Sequence, residues 1–162
     1  MKTARSVRTI QVVVLGLLVA ALLFGTVSAA LADAPAGTRP KWDKGSWLAF
    51  DGVGTLYAHK AKVHELYAFD LATETWGAAM TGVPLLNNQT GKSKKSKDGG
   101  SAALLDGRIW ALKGGNTQDF FSFDPATLAW TEEDTLPAFG SMMKRKRVKA
   151  GADLAADGRA LY

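Results

Sequence analysis

From residue 45 onward the apolar residues fall into short runs, separated by segments rich in Gly, Asp, Asn, Pro or Thr. Runs of this length, rich in aromatic and β-branched side chains and bounded by turn residues, mark antiparallel strands and not helices. The pattern predicts strands near Ala102 to Leu105, Arg108 to Leu112, Phe120 to Phe123 and Ala129 to Glu132.

The runs also recur. Gly45-Ser46-Trp47-Leu48-Ala49-Phe50-Asp51-Gly52 matches Gly100-Ser101-Ala102-Ala103-Leu104-Leu105-Asp106-Gly107, and a third copy opens at Gly151 and reaches Asp157-Gly158. Further on, Leu56-Tyr57-Ala58 answers Ile109-Trp110-Ala111, and Leu66 to Asp70 answers Phe120 to Asp124. Ala72-Thr73, Trp76 and Val83-Pro84 then answer Ala126-Thr127, Trp130 and Leu136-Pro137. A period of roughly fifty residues is the mark of a repeat architecture.

Turn chemistry fits the same reading. Asp51-Gly52 and Asp106-Gly107 suit two-residue hairpins, whose central positions need positive φ. Asp124-Pro125-Ala126-Thr127 starts a type I turn, with Pro fixing φ at its second position. One four-stranded meander cannot bury both faces, so adjacent copies are expected to stack. Tyr57, Trp76, Trp110, Phe121, Phe123 and Trp130 are expected to supply the apolar surface between them.

These residues resemble the kelch repeat of β-propellers. The likeness spans Gly45 to Tyr162 and is most specific from Gly100 to Pro137, where Gly114-Gly115 stand at the paired glycines that end the second strand. Asp51, Gly52, Trp76, Asp106, Gly107, Gly114, Gly115 and Trp130 form the repeat signature. The first copy departs from it, with Lys60-Ala61-Lys62 in place of the glycine pair, so its loop is expected to take another path. The resemblance implies an all-β fold, a partial kelch-type β-propeller of two four-stranded antiparallel blades plus the start of a third. Closed propellers hold about four to eight blades, so the expectation is a truncated product or fragment, or a ring completed by further blades in a longer chain or an oligomer.

The first residues change the picture of location. Lys2, Arg5 and Arg8 precede an apolar run from Ile10 to Val27, followed by Ala30-Leu31-Ala32, a small-x-small cleavage pattern. Residues 1–32 therefore read as a signal peptide or a membrane anchor helix, since about 18 apolar residues can just cross a bilayer core. Residues 33–44 read as a linker, 45–99 and 100–150 as the two blades, and 151–162 as the start of a third. Both readings of the leader give an extracytoplasmic protein, secreted or envelope-associated.

Removing the leader also removes most of the charge. The chain carries 20 Lys and Arg against 15 Asp and Glu; without the three leader cations 17 basic residues remain, a net of +2. Global charge then gives no case for nucleic acid. Local clusters do remain: Lys92, Lys94, Lys95 and Lys97 precede one inner strand, and Lys144, Arg145, Lys146, Arg147 and Lys149 precede the next. The resemblance places both on one rim, a candidate site for an anionic surface polymer or a negatively charged protein, set against a reading as solvated loops. No aromatic is interleaved with these cations, and nucleic acid is not an expected partner.

Catalytic signatures are missing from the sequence. Cysteine is absent, which excludes disulfides and thiolate metal sites. His59 and His64 are the only imidazoles and are expected at the surface or an edge. Asp51, Asp106 and Asp157 are explained by turns. Asn88-Gln89-Thr90 matches a glycosylation acceptor, relevant only in a eukaryotic secretory pathway. The expectation is a binding or scaffolding module, not an enzyme, with no cofactor; the alternative is an accessory propeller of a larger exported enzyme.

Overall fold

The computed structural model describes residues 42–162, so the expected leader over 1–32 and most of the 33–44 linker lie outside the described residues. Among the described residues the fold is all-β, and no helix is long and apolar enough to cross a membrane. The first repeat forms β1 (Trp47–Phe50), β2 (Thr55–Lys60), β3 (Glu65–Asp70), β4 (Thr75–Trp76) and β5 (Met80–Thr81). These make one antiparallel sheet in the order β1-β2-β3-β4, with β5 also pairing with β3. β4 and β5 are two halves of one edge strand. Phe69 pairs with Trp76 and Leu66 with Met80, so Gly77, Ala78 and Ala79 face only Tyr67 and Ala68. That one-residue excess is a bulge, and it splits the expected fourth strand.

A small hairpin follows, β6 (Leu86–Asn87) and β7 (Lys92–Ser93), which the sequence pattern did not predict. The second repeat then forms β8 (Ser101–Leu105), β9 (Arg108–Leu112), β10 (Phe120–Asp124) and β11 (Ala129–Glu132), in the order β11-β10-β9-β8. All four lie within a residue of their expected positions. Residues 151–162 hold no full strand: Ala156 bridges Leu161 around a loop in which Asp157 Oδ1 accepts the N–H groups of Arg159 (2.8 Å) and Ala160 (3.0 Å).

Strand register corrects the repeat alignment by one residue. Leu56 pairs with Phe50 and its counterpart Ile109 pairs with Leu104, so Phe50 is equivalent to Leu104 and Gly45 to Gly99, not to Gly100. Gly45, Gly99 and Gly151 all have positive φ (88°, 84° and 84°) at the turn opening each repeat. The cause of the slip is a difference in the next turn. Asp106-Gly107 makes the expected two-residue hairpin, with φ of 51° and 71° and Leu105 paired to Arg108. Asp51-Gly52 does not: the link runs through Asp51, Gly52, Val53 and Gly54. There the Asp51 carboxylate accepts the N–H groups of Val53, Gly54 and Thr55, each at 2.9 Å.

The two sheets pack face to face. Tyr57, Ala49 and Leu66 of the first meet Ile109, Ala111, Phe121 and Phe123 of the second, with Leu104 and Trp130 at the margin. Tyr57 lies edge-on to Phe123 at 5.4 Å, and Trp130 Nε1 donates to the Thr81 carbonyl at 2.9 Å. Burying such rings contributes about 2–3 kcal/mol each. Trp76 and Trp110 depart from expectation, because strand alternation points them to the opposite faces. Trp76 packs on Phe69 and Tyr67, and Trp110 stacks on Phe120.

His59 departs as well. Its register partners Trp47 and Leu66 face the second sheet, so the imidazole is fully buried, stacked 5.1 Å from the Trp47 ring. His64 is half-buried, with Nδ1 2.8 Å from the Val83 carbonyl oxygen.

Candidate functional site

Two glycines set up a polar cleft that gathers several cations. Gly114 and Gly115 take φ of 68° and 62°, turning the chain after β9 down onto the segment before β8. A Cβ at Gly114 would lie 2.4 Å from both Gly100 N and the Lys97 carbonyl oxygen, so no side chain fits there. Thr117 Oγ1 donates to the Gly114 carbonyl at 2.7 Å and fixes the loop Asn116-Thr117-Gln118-Asp119. In the first repeat Lys60-Ala61-Lys62 instead closes a tight link, Lys60 pairing with Glu65, with Lys62 and His64 at positive φ. The different path follows from the missing glycine pair.

The basic segments close over that loop from two sides. Val148 N donates to the Thr117 carbonyl (2.8 Å) and Asn116 N to the Val148 carbonyl (2.9 Å), which lays residues 145–148 along one wall. The β6–β7 hairpin forms the other. Its tip is anchored on β11, where Asn88 N and Nδ2 each donate to Glu132 Oε2 at 2.8 Å. Burial pushes the Glu132 carboxyl up, but the Asn88 and Gln89 donors outweigh it and hold it below its ordinary range.

The result is a cleft of about 130 Å³ lined by Lys92, Lys94, Arg145 and Arg147, with Thr90, Asn116, Thr117, Gln118 and Thr135 as neutral polar neighbours. Asp119 is the sole carboxylate in the lining, and its Oδ2 lies 3.0 Å from the fully buried Lys113 Nζ. Lys113 also donates to the Leu85 carbonyl at 2.6 Å. This internal partner offsets the negative charge, so the cleft presents a cationic rim.

Of the nine expected rim cations, the structure brings four together. Lys95, Lys97, Lys144, Lys146 and Lys149 are exposed and stand outside the lining. The sequence reading missed the neutral donors and Asp119, although the Gly114-Gly115 pair immediately before them was the signal for a loop on this face. Among the described residues no group of three or more His, Asp or Glu is placed to hold a metal ion.

Fold and cleft together define a class: stacked antiparallel β-meanders with a cationic polar cleft at one end. Set against known proteins, the chain matches no family model and no curated relative.

Proposed function

We propose that the chain is an extracytoplasmic binding or scaffolding module, built on kelch-type blades, whose cleft takes an anionic group of a surface polymer or protein. The carrying observation is the convergence of Lys92, Lys94, Arg145 and Arg147, from segments some fifty residues apart, on one cleft. Guanidinium forks and ammonium groups beside hydroxyl and amide donors recognise phosphate, sulfate and carboxylate oxygens. At about 130 Å³, and with a water's share of liquid near 30 Å³, the cleft admits one such group at a time. A repeating anionic polymer fits this demand. Export is supported by the leader pattern, and the kelch reading by the recurring meanders and their glycine pair.

Retention on a polyglutamate column, eluted with salt, tests the reading. Lys94→Glu and Arg145→Glu are each expected to lower the eluting salt concentration sharply, whereas Lys95→Glu, exposed but outside the lining, lowers it little. Equal losses for all three variants would reduce the cleft to undirected surface charge.

A further inference from the structure

Between β11 and the third repeat the chain is one-sided in charge: residues 135–152 hold five Lys and Arg and no Asp or Glu. The middle of this stretch closes into a small hairpin of its own. Phe139 bridges Arg145, Lys146 N donates to the Ala138 carbonyl at 2.8 Å, and Met143 N donates to the Gly140 carbonyl at 2.9 Å across the turn. Alternation along the returning arm turns Arg145 and Arg147 to the cleft, and Lys144 and Lys146 stand outside its lining.

The tip of the hairpin is apolar. Met142 and Met143 are each 77% exposed and Phe139 is 53% exposed, with the exposed Lys144 and Lys146 beside them. Neither lysine takes part in a salt bridge among the described residues. Large apolar side chains gathered in water gain free energy by leaving it, and their clustering marks a contact surface. The kind of contact follows from size and charge. Three side chains on one turn are far fewer than the roughly 20–30 residues a side of a stable protein interface. A bilayer asks for no complementary shape. Its acyl boundary takes up a thin apolar tip, and its anionic headgroups lie at the level of the cations that ring the tip. Unbranched, polarisable Met side chains suit such a disordered environment.

We propose that this hairpin docks on a membrane surface rich in anionic lipid, with Met142, Met143 and Phe139 entering the boundary between headgroups and acyl chains and Lys144 and Lys146 meeting the headgroup phosphates. None of these five residues lines the cleft. The membrane contact therefore stands apart from the anion-binding reading, and each can fail without the other.

A site-specific probe on the full chain tests it. The chain has no native cysteine, so Met142→Cys carries a single polarity-sensitive fluorophore. With vesicles of phosphatidylglycerol and phosphatidylcholine in equal parts, its emission should shift to the blue. The same label at Val53→Cys should not shift, because that position is 91% exposed but lies in a stretch, residues 45–59, without Lys or Arg. Adsorption through the apolar run Ile10 to Val27 carries both labelled chains to the vesicle alike, so the difference between the labels is what is read. Lys144→Gln combined with Lys146→Gln should raise the lipid concentration needed for the tip shift roughly 10-fold, and phosphatidylcholine alone should give at most a small shift. Equal behaviour of the two labels, a full tip shift on phosphatidylcholine alone, or a shift indifferent to the paired Gln variant overturns the proposal. Lost retention on polyglutamate in a Met142→Ser, Met143→Ser variant also overturns it, since the tip would then belong to an acidic chain and not to a bilayer.

Discussion

The two repeats share a strand plan but spend their corresponding positions differently. At the end of the second strand the first repeat has His59, Lys60, Ala61 and Lys62 where the second has Leu112, Lys113, Gly114 and Gly115. The second repeat thereby gains a long loop that floors the cationic cleft, and the first gains a short link with an imidazole packed beneath it. Equivalent ring positions differ too: Phe123 is 1% exposed beneath the first sheet, while its counterpart Phe69 is half-buried. Equivalent sequence positions therefore carry unequal energies, and what decides is the neighbour, not the residue type.

Truncating the paired phenylalanines breaks the comparison most sharply. Phe123→Ala is expected to cost about 3–5 kcal/mol, through lost transfer energy and a cavity between the sheets. Phe69→Ala should cost about 1–2 kcal/mol, because part of its ring surface is already in water. Urea unfolding of both variants measures the difference, and equal costs would mean that Phe69 is covered as fully as Phe123.

The glycine pair gives the next largest effect. Gly114→Ala places a Cβ within 2.4 Å of two backbone atoms at φ 68°, and about 2–4 kcal/mol is expected, along with loss of salt-sensitive retention as the loop shifts. Ala61→Gly, the reverse change in the first repeat, should cost only about 1 kcal/mol, largely through the freer unfolded chain. A Gly114→Ala variant with unchanged unfolding midpoint and retention would remove the glycine from its role in shaping the cleft.

Strands were legible because each is local: Phe120 to Asp124 and Arg108 to Leu112 announce themselves by composition and by the Asp-Gly and Asp-Pro turns between them. Register was less legible. A shared spacing between Gly and Asp aligned Gly45 with Gly100, yet one additional residue between the paired strands at the Asp51 turn moves the true partner to Gly99, and only backbone pairing reveals it. The positive φ of Glu74 and Leu128, 54° and 56°, carries no sequence signal, since neither is a residue that favours that conformation. At the cleft, charge runs located the cations, but which of them converge depends on the β6–β7 hairpin. That hairpin is held by Glu132, more than forty residues away in the chain.

His59 against Leu112 yields the smallest effect, visible only in acid. Burial, and next the charge of His64, lower the His59 pKa to about 3 from 6.5, and neither ring nitrogen has a hydrogen-bond partner to oppose them. The folded state therefore keeps this imidazole neutral while the unfolded chain takes up a proton as pH falls through about 6.5. Wherever the unfolded state binds more protons, stability declines with falling pH, so the loss begins near pH 6.5 and grows toward the folded pKa, reaching about 2 kcal/mol at pH 5. The turn carboxylates Asp51, Asp70, Asp124 and Asp157 titrate below their ordinary value of 3.8 and make their losses at lower pH. Glu132, held below its ordinary 4.5, joins them as pH falls toward that value, so the window from about pH 6.5 to 5 isolates the histidine. His59→Leu, which installs the second repeat's residue, should flatten the dependence of the unfolding midpoint on pH across that window, whatever it does to stability at pH 8. A variant whose slope equals that of the parent chain would mean that the imidazole is protonated in the folded state, and that its burial against Trp47 is not what distinguishes the two repeats.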